Sequence, residues 1–294
     1  MEGGTRLGIL TMILTMLVFA AQDGISKYLA ESYNVMTVVL FRYWFFALFV
    51  LLFCARKPGG LRRALRTRNL GLQISRGVLL ALEICVMVYA FALLGLVEAH
   101  AAFAAYPLII AALSGPVLGE RVCWRRWSAK GVGFIGVLII LRPGLRVFSP
   151  EVLVAVLSAV MFALYGLLTR LAARHDSAET SFLYTGLVGG AVMTVIAPAF
   201  WQPMATQADW AWMAVLCVTG ALGHYLLIQT YALAEASVVQ PFAYFQLLFA
   251  GLIGIAVFGE RPETATLIGA AVILAAGLYT LWRTRLRGGE KPPR

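Results

Sequence analysis

Ten long apolar runs, separated by short polar stretches, account for most of the 294-residue chain. A helix needs about 20 mostly apolar residues to cross a bilayer. The runs are too long and too uniformly apolar for the alternating strands of a membrane β-barrel, so each predicts a transmembrane helix. The predicted helices span 7–30, 34–54, 70–94, 97–118, 127–141, 151–173, 178–198, 209–232, 236–257 and 264–283.

Composition supports this all-α polytopic membrane protein. The chain is 61% hydrophobic and 13% charged, whereas soluble domains are about 45–50% apolar and about 25% charged. A soluble globular domain and a disordered chain are therefore excluded. The 4 cysteines form no CxxC pair, so neither a metal site nor a disulfide framework is predicted. No cofactor motif is expected, and a GxGxxG match at 131–136 lacks the strand that such a site requires.

The positive charge, +10 overall, is distributed unevenly between the predicted loops. With the N-terminus inside, 18 of the 24 Lys and Arg residues fall in cytoplasmic loops and termini, and 4 fall on the opposite side. The positive-inside rule then places both termini in the cytoplasm, in a multi-pass protein of the cell (inner) membrane. This bias explains the basic composition without nucleic acid. The basic cluster at 56–68 either contacts anionic membrane lipids or is a solvated loop.

The two halves of the sequence are related by a weak internal repeat. A shift of 140 residues places 91–93 on 231–233, and it places Gly-Glu-Arg at 119–121 on the same triplet at 259–261. Each half holds five predicted helices, an odd number, so the second half must be inverted relative to the first. We therefore predict two five-helix repeats, 1–146 and 147–294. Inverted repeats are typical of secondary transporters with a substrate site at the repeat interface.

These features resemble the EamA family of the drug/metabolite transporter superfamily. The shared motifs are the two Gly-Glu-Arg turns, Phe41-Arg42-Tyr43 in the second helix, Tyr106-Pro107 in the fourth, and Gly131 or Gly269 early in the last helix of each half. The second half departs from the pattern, with Tyr184 in place of arginine and Leu247 in place of proline. The resemblance covers nearly the whole chain and implies an exporter of small metabolites, most often amino acids.

We accordingly predict a secondary transporter that exports small polar metabolites, with amino acids first, by alternating access. Export of drugs, nucleosides or cationic compounds is the alternative. An intramembrane enzyme is the rival of a different class, but the chain has neither HExxH nor paired membrane aspartates. A Walker A motif is also absent from the sequence, which disfavours ATP-driven transport. The exact substrate, the coupling ion and the oligomeric state are left open by the sequence.

Three charged residues lie deep in predicted helices, at similar estimated depth: Asp23, Arg42 and Glu83. Ionisable groups in a membrane are costly and usually face the protein interior. Two interpretations are open: a structural ion pair between the first three helices, or a substrate or proton site. Because a guanidinium keeps its charge, we expect Arg42 to pair with Asp23 or Glu83. Lys27 and Arg76 lie near helix ends, where they can snorkel.

Polar and aromatic side chains in other helices are further candidates for the cavity wall. His224 is isolated in the eighth helix, and it either packs as a neutral residue or lines the cavity. The same alternatives apply to Phe103, Tyr165, Gln240 and Tyr244, because aromatic stripes also serve in helix packing. A pocket with aromatic walls and few charges suits a zwitterion with an apolar side chain.

Overall fold

The computed structural model describes residues 2–119 and 150–272, together with the isolated positions 131, 135, 136, 139 and 275. Every regular element in this part of the chain is helical, as the apolar pattern predicts. The α-helices are α1 Glu2–Ser32, α2 Val35–Ala55, α3 Gly60–Ala64, α4 Leu70–Leu94, α5 Leu96–Phe103, α6 Tyr106–Leu118, α7 Pro150–Ala172, α8 Ala178–Ile196, α9 Gln207–Leu233, α10 Ala236–Ala243 and α11 Phe245–Phe258. Residues 264–272 are also helical.

Eight helical stretches of the described residues are long and apolar enough to cross a membrane. They are Gly4–Ser32, Val35–Ala55, Leu70–Leu94, Leu96–Leu118, Pro150–Ala172, Ala178–Phe200, Gln207–Leu233 and Val238–Phe258. These stretches coincide with the first to fourth and the sixth to ninth predicted helices. The count of ten is not confirmed. The predicted helix 127–141 lies outside the described residues apart from isolated positions, and only the start of 264–283 is described.

The fourth and ninth predicted helices are each broken near the middle. The first break separates α5 from α6 at residues 104–105, and the second separates α10 from α11 at Tyr244. Pro107 has no N–H to donate to the carbonyl of Phe103, where α5 ends. The 140-residue shift places the two breaks on each other, although Leu247 replaces the proline in the second half. Broken membrane helices are tolerated where they are buried in protein or line a cavity.

Helices of the two halves pack against each other in a reciprocal pattern. α1 lies against α9, while its repeat counterpart α7 lies against α4, the counterpart of α9. α2 packs against its own counterpart, α8, and α6 packs against α10. When two repeats are related by a two-fold axis, each contact between a helix of one repeat and a helix of the other occurs twice, with the roles of the repeats interchanged. The boundary between 146 and 147 lies outside the described residues and stays a prediction.

The two glycines of the Gly-Glu-Arg turns lie at opposite ends of the bundle. Gly119 follows Leu118, whose carbonyl accepts a hydrogen bond from Arg174 in the α7–α8 connection. Gly259 precedes Glu260, which contacts the first residues of α5. Both glycines have a left-handed backbone, with φ of 65° and 63°, and each ends its helix. The ends are called the Gly119 end and the Gly259 end below, and which of them faces the cytoplasm stays a prediction.

Close approach of α2 and α8 requires small residues in α8. A Cβ atom on Gly189 would lie 2.0 Å from Cε1 of Tyr43 in α2. A Cβ on Gly186 would lie 2.8 Å from Val50, and one on Gly190 would lie 3.0 Å from Cβ of Ala47. The GxxxG spacing of Gly186 and Gly190 therefore marks helix packing, the role that such spacing usually has in membranes.

Asp176 joins two loops at the Gly119 end. It accepts hydrogen bonds from Oγ1 of Thr67 at 2.5 Å, from the backbone N–H of Arg68 at 2.9 Å and from Nε2 of Gln73 at 2.8 Å. Partial burial raises the pKa of this carboxyl, but the hydrogen bonds outweigh burial and hold the pKa below its ordinary value. The connections after α3 and after α7 are thereby fixed to each other.

Candidate functional site

A small polar cavity lies between the two halves of the bundle. Its volume is ≈ 30 Å³, which accommodates water but not a metabolite. Residues of α1, α2, α4, α5, α7, α9 and α11 line it, so both halves contribute. Five of the eight residues predicted from the sequence are in its wall: Asp23, Arg42, Glu83, Phe103 and His224.

Arg42 is buried and contacts neutral partners. Its Nη2 donates a hydrogen bond to Oε1 of Gln22 at 3.0 Å and lies 3.4 Å from Nε2 of His224. Within the described chain no carboxylate lies within 4.0 Å of the guanidinium, so the expected ion pair with Asp23 or Glu83 is wrong in this state. The expectation rested on depth along each helix, which does not specify the direction in which a side chain points. The contacts of Arg42 use Nη2 alone, and Nη1 and Nε have no hydrogen-bond partner among the described residues.

The two carboxylates of the cavity are bonded to partners of their own. Oε1 of Glu83 accepts a hydrogen bond from Oγ of Ser158 in α7 at 2.6 Å. Asp23 contacts His100 in α5, with 3.1 Å between Oδ2 and Nε2, and it accepts a hydrogen bond from Nε2 of Gln246 in α11 at 3.0 Å. These contacts join α1, α5 and α11 on one side of the cavity, and α4 with α7 on the other.

His224 is held between aromatic rings and faces Arg42. The ring of Phe46 stacks on it with centroids 6.0 Å apart, and Tyr165 meets it edge-on at 6.2 Å. Because Nε2 faces a donor on Arg42, the ring is neutral and carries its proton on Nδ1. This Nδ1 is buried and has no hydrogen-bond partner among the described residues. His224 therefore offers, beside the cavity, a donor that is unpaired within the described part of the chain.

Aromatic rings form much of the remaining wall. Phe103 packs against Phe162 with ring centroids 5.4 Å apart, and Phe162 packs against Phe19 at 6.3 Å. All three line the cavity, together with Phe91. Four aromatic faces around few charges provide an environment for an apolar or cationic group.

The other three predicted residues, Tyr165, Gln240 and Tyr244, lie behind this wall. Tyr165 contacts His224 and also accepts a hydrogen bond from Arg76 at 3.4 Å. Gln240 donates to the Tyr231 hydroxyl at 2.8 Å. Tyr244 lines a smaller cavity beside the break in the ninth helix. Their role in substrate binding stays a prediction.

Arg76 does not snorkel. It is 0% exposed and donates hydrogen bonds to the carbonyl of Ser181, to Oγ1 of Thr185 at 2.7 Å and to Oε1 of Gln73. These neutral oxygens belong to α4 and α8, so Arg76 ties the two helices together towards the Gly119 end. The position of Arg76 along α4 predicts snorkelling, but α8 covers the side chain and supplies its hydrogen-bond partners.

Glu260 makes a set of contacts at the Gly259 end that we call the Glu260 cap. Its carboxylate accepts hydrogen bonds from the backbone N–H groups of Leu96 and Val97, both at 2.8 Å, at the start of α5. Nζ of Lys27 lies 3.0 Å from the same carboxylate, 3.2 Å from Glu31 and 3.8 Å from the centroid of the Phe258 ring. Burial raises the pKa of Glu260, but the two N–H groups and Lys27 outweigh burial and hold the pKa below its ordinary value.

Four polar residues of the site were not singled out from the sequence: Gln22, His100, Ser158 and Gln246. His100 could have been found, because it is an ionisable residue inside the apolar run 97–118 and such residues are functional candidates. Neutral amides and hydroxyls give no such signal. Their positions become informative only once the helices are packed.

The position of Arg42 depends on Gly220 of α9. A Cβ atom on Gly220 would lie 2.7 Å from Nε of Arg42 and 3.4 Å from Oε1 of Gln22. We expect Gly220→Ala to displace the guanidinium and to lower the substrate exchange rate in proteoliposomes by about tenfold, which corresponds to about 1.4 kcal/mol. Gly251→Ala is the matched control, since a Cβ there meets nothing within 4 Å. Equal exchange rates in the two variants would show that Arg42 need not occupy this position.

Comparison with known proteins identifies the family. Residues 6–142 and 149–282 each match the EamA-like transporter family. The chain belongs to this family. The two matches cover most of the chain, and the resemblance stated from the sequence motifs is confirmed at the family level. It is thus a multi-pass membrane transporter with a small-molecule substrate, rather than an enzyme.

Several relatives have named substrates. The chain is 26% identical to an S-adenosylmethionine uptake transporter of Rickettsia prowazekii, over 94% of this chain and 92% of the relative. It is 31% identical to a riboflavin transporter of Vibrio cholerae, over 97% and 96%, and 26% identical to a pseudopaline exporter of Pseudomonas aeruginosa, over 92% and 94%. These names do not support the specific expectation of amino-acid export, and they include both uptake and export.

A protein of known crystal structure shares the fold. The TM-score is 0.68 at 20% sequence identity, and the match covers 97% of this chain and 99% of the other. At this identity the likeness concerns the fold alone.

Proposed function

We propose that this EamA-family protein transports a zwitterionic metabolite that carries an amino-acid group on an aromatic or apolar body, with S-adenosylmethionine as the first candidate. The observation that carries the proposal is Arg42, a buried guanidinium in the central cavity with neutral partners. A buried cation without a carboxylate partner is costly. A substrate carboxylate would supply that partner, and guanidinium and carboxylate groups form strong bidentate pairs.

The rest of the wall complements the other parts of such a substrate. Glu83 lines the same cavity and can receive an ammonium group. The rings of Phe19, Phe103 and Phe162 offer faces to an adenine ring or a sulfonium cation. The named S-adenosylmethionine transporters among the relatives agree with this chemistry. Amino acids share the carboxylate and the ammonium group, and they are the smaller members of the same class.

Transport requires access to the cavity to alternate between the two ends of the bundle. The broken helices α5–α6 and α10–α11 flank the cavity region at equivalent positions of the two halves. In inverted-repeat transporters, movement of one repeat against the other exchanges access. We propose the same exchange here, in the inner membrane, with the direction of net transport set by the gradients.

Counterflow in proteoliposomes tests the proposal. Purified protein is reconstituted with unlabelled S-adenosylmethionine inside, and entry of labelled S-adenosylmethionine is followed. We expect saturable accelerated exchange, absent from protein-free liposomes and competed by excess unlabelled substrate. Riboflavin and a mixture of amino acids are run in parallel. Exchange of riboflavin alone would contradict the zwitterion assignment, and exchange of none of the three would contradict the proposed substrate class altogether.

A further inference from the structure

Asp23 and His100 form a buried contact that can hold a proton. Nδ1 of His100 lies 2.9 Å from the carbonyl oxygen of Leu96, one turn earlier in α5. A carbonyl only accepts hydrogen bonds, so Nδ1 carries a proton and donates it. Nε2 of the same ring lies 3.1 Å from Oδ2 of Asp23.

An ionised Asp23 and a neutral His100 with its proton on Nδ1 are both acceptors at this second contact. Nε2 of Gln246 lies 3.0 Å from Oδ2 of Asp23 and 3.5 Å from Nε2 of His100, so the two N–H groups of this amide face both acceptors. A proton bound by the pair would lie directly between Nε2 and Oδ2, as imidazolium with carboxylate or as imidazole with carboxylic acid. The geometry therefore accommodates the pair both with and without this proton.

The surroundings fix the pair in this geometry. Nε2 of Gln246 donates a hydrogen bond to the same Oδ2 of Asp23 at 3.0 Å. The Phe91 ring stacks on the imidazole with centroids 5.1 Å apart and planes inclined by 13°. Both Asp23 and His100 are buried, at 8% and 2% exposure. The pair thus joins α1, α5 and α11, elements of both halves that must shift when access is exchanged.

The pair lies directly below the Glu260 cap. Lys27 follows Asp23 by four residues on α1, and Leu96 and Val97 of the cap begin the helix that carries His100. Opening the Gly259 end would break these contacts and expose the pair to water. The other charged or titratable groups that face the pair or its cavity are Lys27, Arg42, Glu83, Tyr106, His224, Tyr244 and Glu260.

The positions of the other half that are equivalent to Asp23 and His100 carry no carboxyl or imidazole group. The repeat places Tyr165 at the position of Asp23, Gln240 at that of His100 and Tyr106 at that of Gln246. These three positions carry hydroxyl and amide side chains, and none of them carries a carboxyl or an imidazole group. Hard metal cations prefer several oxygen ligands, but Asp23 faces two nitrogens. The difference between the two halves, and the nitrogen groups that surround Asp23, favour a proton over a metal cation as the ion bound by the pair.

We propose that Asp23 and His100 form the proton-binding site that couples transport to the proton gradient. The proposal rests on the proposed transport function. In each cycle the pair takes one proton from water at one end of the bundle and releases it to water at the other end. No covalent bond other than the one to this proton is made or broken.

Two assays on the same proteoliposomes separate coupling from transport. The first is exchange of labelled S-adenosylmethionine without a pH gradient, and the second is its accumulation above equilibrium under a gradient of about 1.5 pH units in each polarity. For the unaltered protein we expect exchange, and accumulation under one polarity alone. For His100→Gln we expect accumulation to be abolished while exchange falls by less than about threefold. His100 lies outside the cavity wall, so the substrate contacts remain.

Asp23→Asn and a control variant complete the experiment. Asp23→Asn should also abolish accumulation, and thermal unfolding reports whether each variant is folded. Asp209→Asn is the matched control, a buried aspartate at the start of α9 that accepts a hydrogen bond from Tyr33 at 2.6 Å. It should keep both activities.

Three outcomes would overturn the proposed proton coupling. Exchange without accumulation under either polarity in the unaltered protein overturns the coupling and leaves the proposed function standing. Equal loss of exchange and accumulation in folded His100→Gln assigns the pair a structural role. Absence of exchange with S-adenosylmethionine, riboflavin and amino acids overturns the proposed function and the coupling together.

Discussion

Arg42→Gln is expected to lower transport by about 100-fold while the protein remains folded. The guanidinium makes no ion pair among the described residues. Glu83 and Asp23 line the same cavity, but each keeps a hydrogen bond of its own, from Ser158 and from Gln246, when Arg42 is replaced. Glutamine keeps a donor for Gln22 but loses the charge that we assign to the substrate carboxylate. A hydrogen bond to a charged group is worth about 1.5–3 kcal/mol, which corresponds to about 10- to 150-fold.

The measurement is initial exchange of S-adenosylmethionine in proteoliposomes, with unfolding temperature recorded in parallel. Arg42→Lys should recover part of the activity, because it restores the charge without the bidentate geometry. Arg62→Gln on the exposed face of α3 is the control and should behave like the unaltered protein. If Arg42→Gln fails to fold, and neutralising Asp23 or Glu83 restores folding, then the ion pair expected from the sequence exists in another state and the substrate role is wrong.

Glu260→Gln is expected to open the Gly259 end. The amide has one acceptor oxygen for the two N–H groups of Leu96 and Val97, and it loses the charge opposite Lys27. Weakening these charge-assisted contacts by about 2 kcal/mol shifts the equilibrium towards the open state by about 30-fold.

A cysteine at Ala101, which is 0% exposed in this structure, reports this shift. In a background without the native cysteines, its reaction with an impermeant thiol reagent should accelerate by about 30-fold in Glu260→Gln. Glu179→Gln, an acidic residue at the opposite end of the bundle, is the control. An unchanged reaction rate in Glu260→Gln would show that the cap does not hold this end closed.

The pH dependence of the cap follows from the lowered pKa of Glu260. A carboxyl whose pKa is lowered by folding contributes its stabilisation above its ordinary pKa, and the contribution is lost as the pH falls through the lower value. Around neutral pH Glu260 stays ionised. We therefore expect the cap itself to contribute no pH dependence of transport between pH 6 and 8.

The sequence predicts the helices well because a bilayer leaves few alternatives. Apolar runs of this length must be helical, and eight of the ten are described as such. The internal repeat also identifies Gly119 and Gly259 as equivalent helix ends, and both adopt the same left-handed backbone. The repeat does not predict the partner of Glu260, which forms an ion pair with Lys27 of a distant helix.

Side-chain partners inside the bundle are less predictable. Asp23, Arg42 and Glu83 do line one cavity, but their depth along each helix could not show that Asp23 turns towards His100 and Glu83 towards Ser158. The rotation of each helix is set by contacts such as Gly189 against Tyr43. These contacts depend on the whole bundle, so the spacing within a single helix does not specify them.

The central claim, that Arg42 in the interface cavity binds the substrate carboxylate, is tested most directly by a comparison of two ligands. The measurement is inhibition of S-adenosylmethionine exchange by unlabelled S-adenosylmethionine and by its decarboxylated form. In the unaltered protein we expect the decarboxylated form to inhibit about 100-fold more weakly, for a lost charged hydrogen bond of about 2.7 kcal/mol. In Arg42→Gln, assayed at higher protein density, the two forms should inhibit within about threefold of each other. Equal inhibition by the two forms in the unaltered protein, or the same discrimination in Arg42→Gln, would contradict the account.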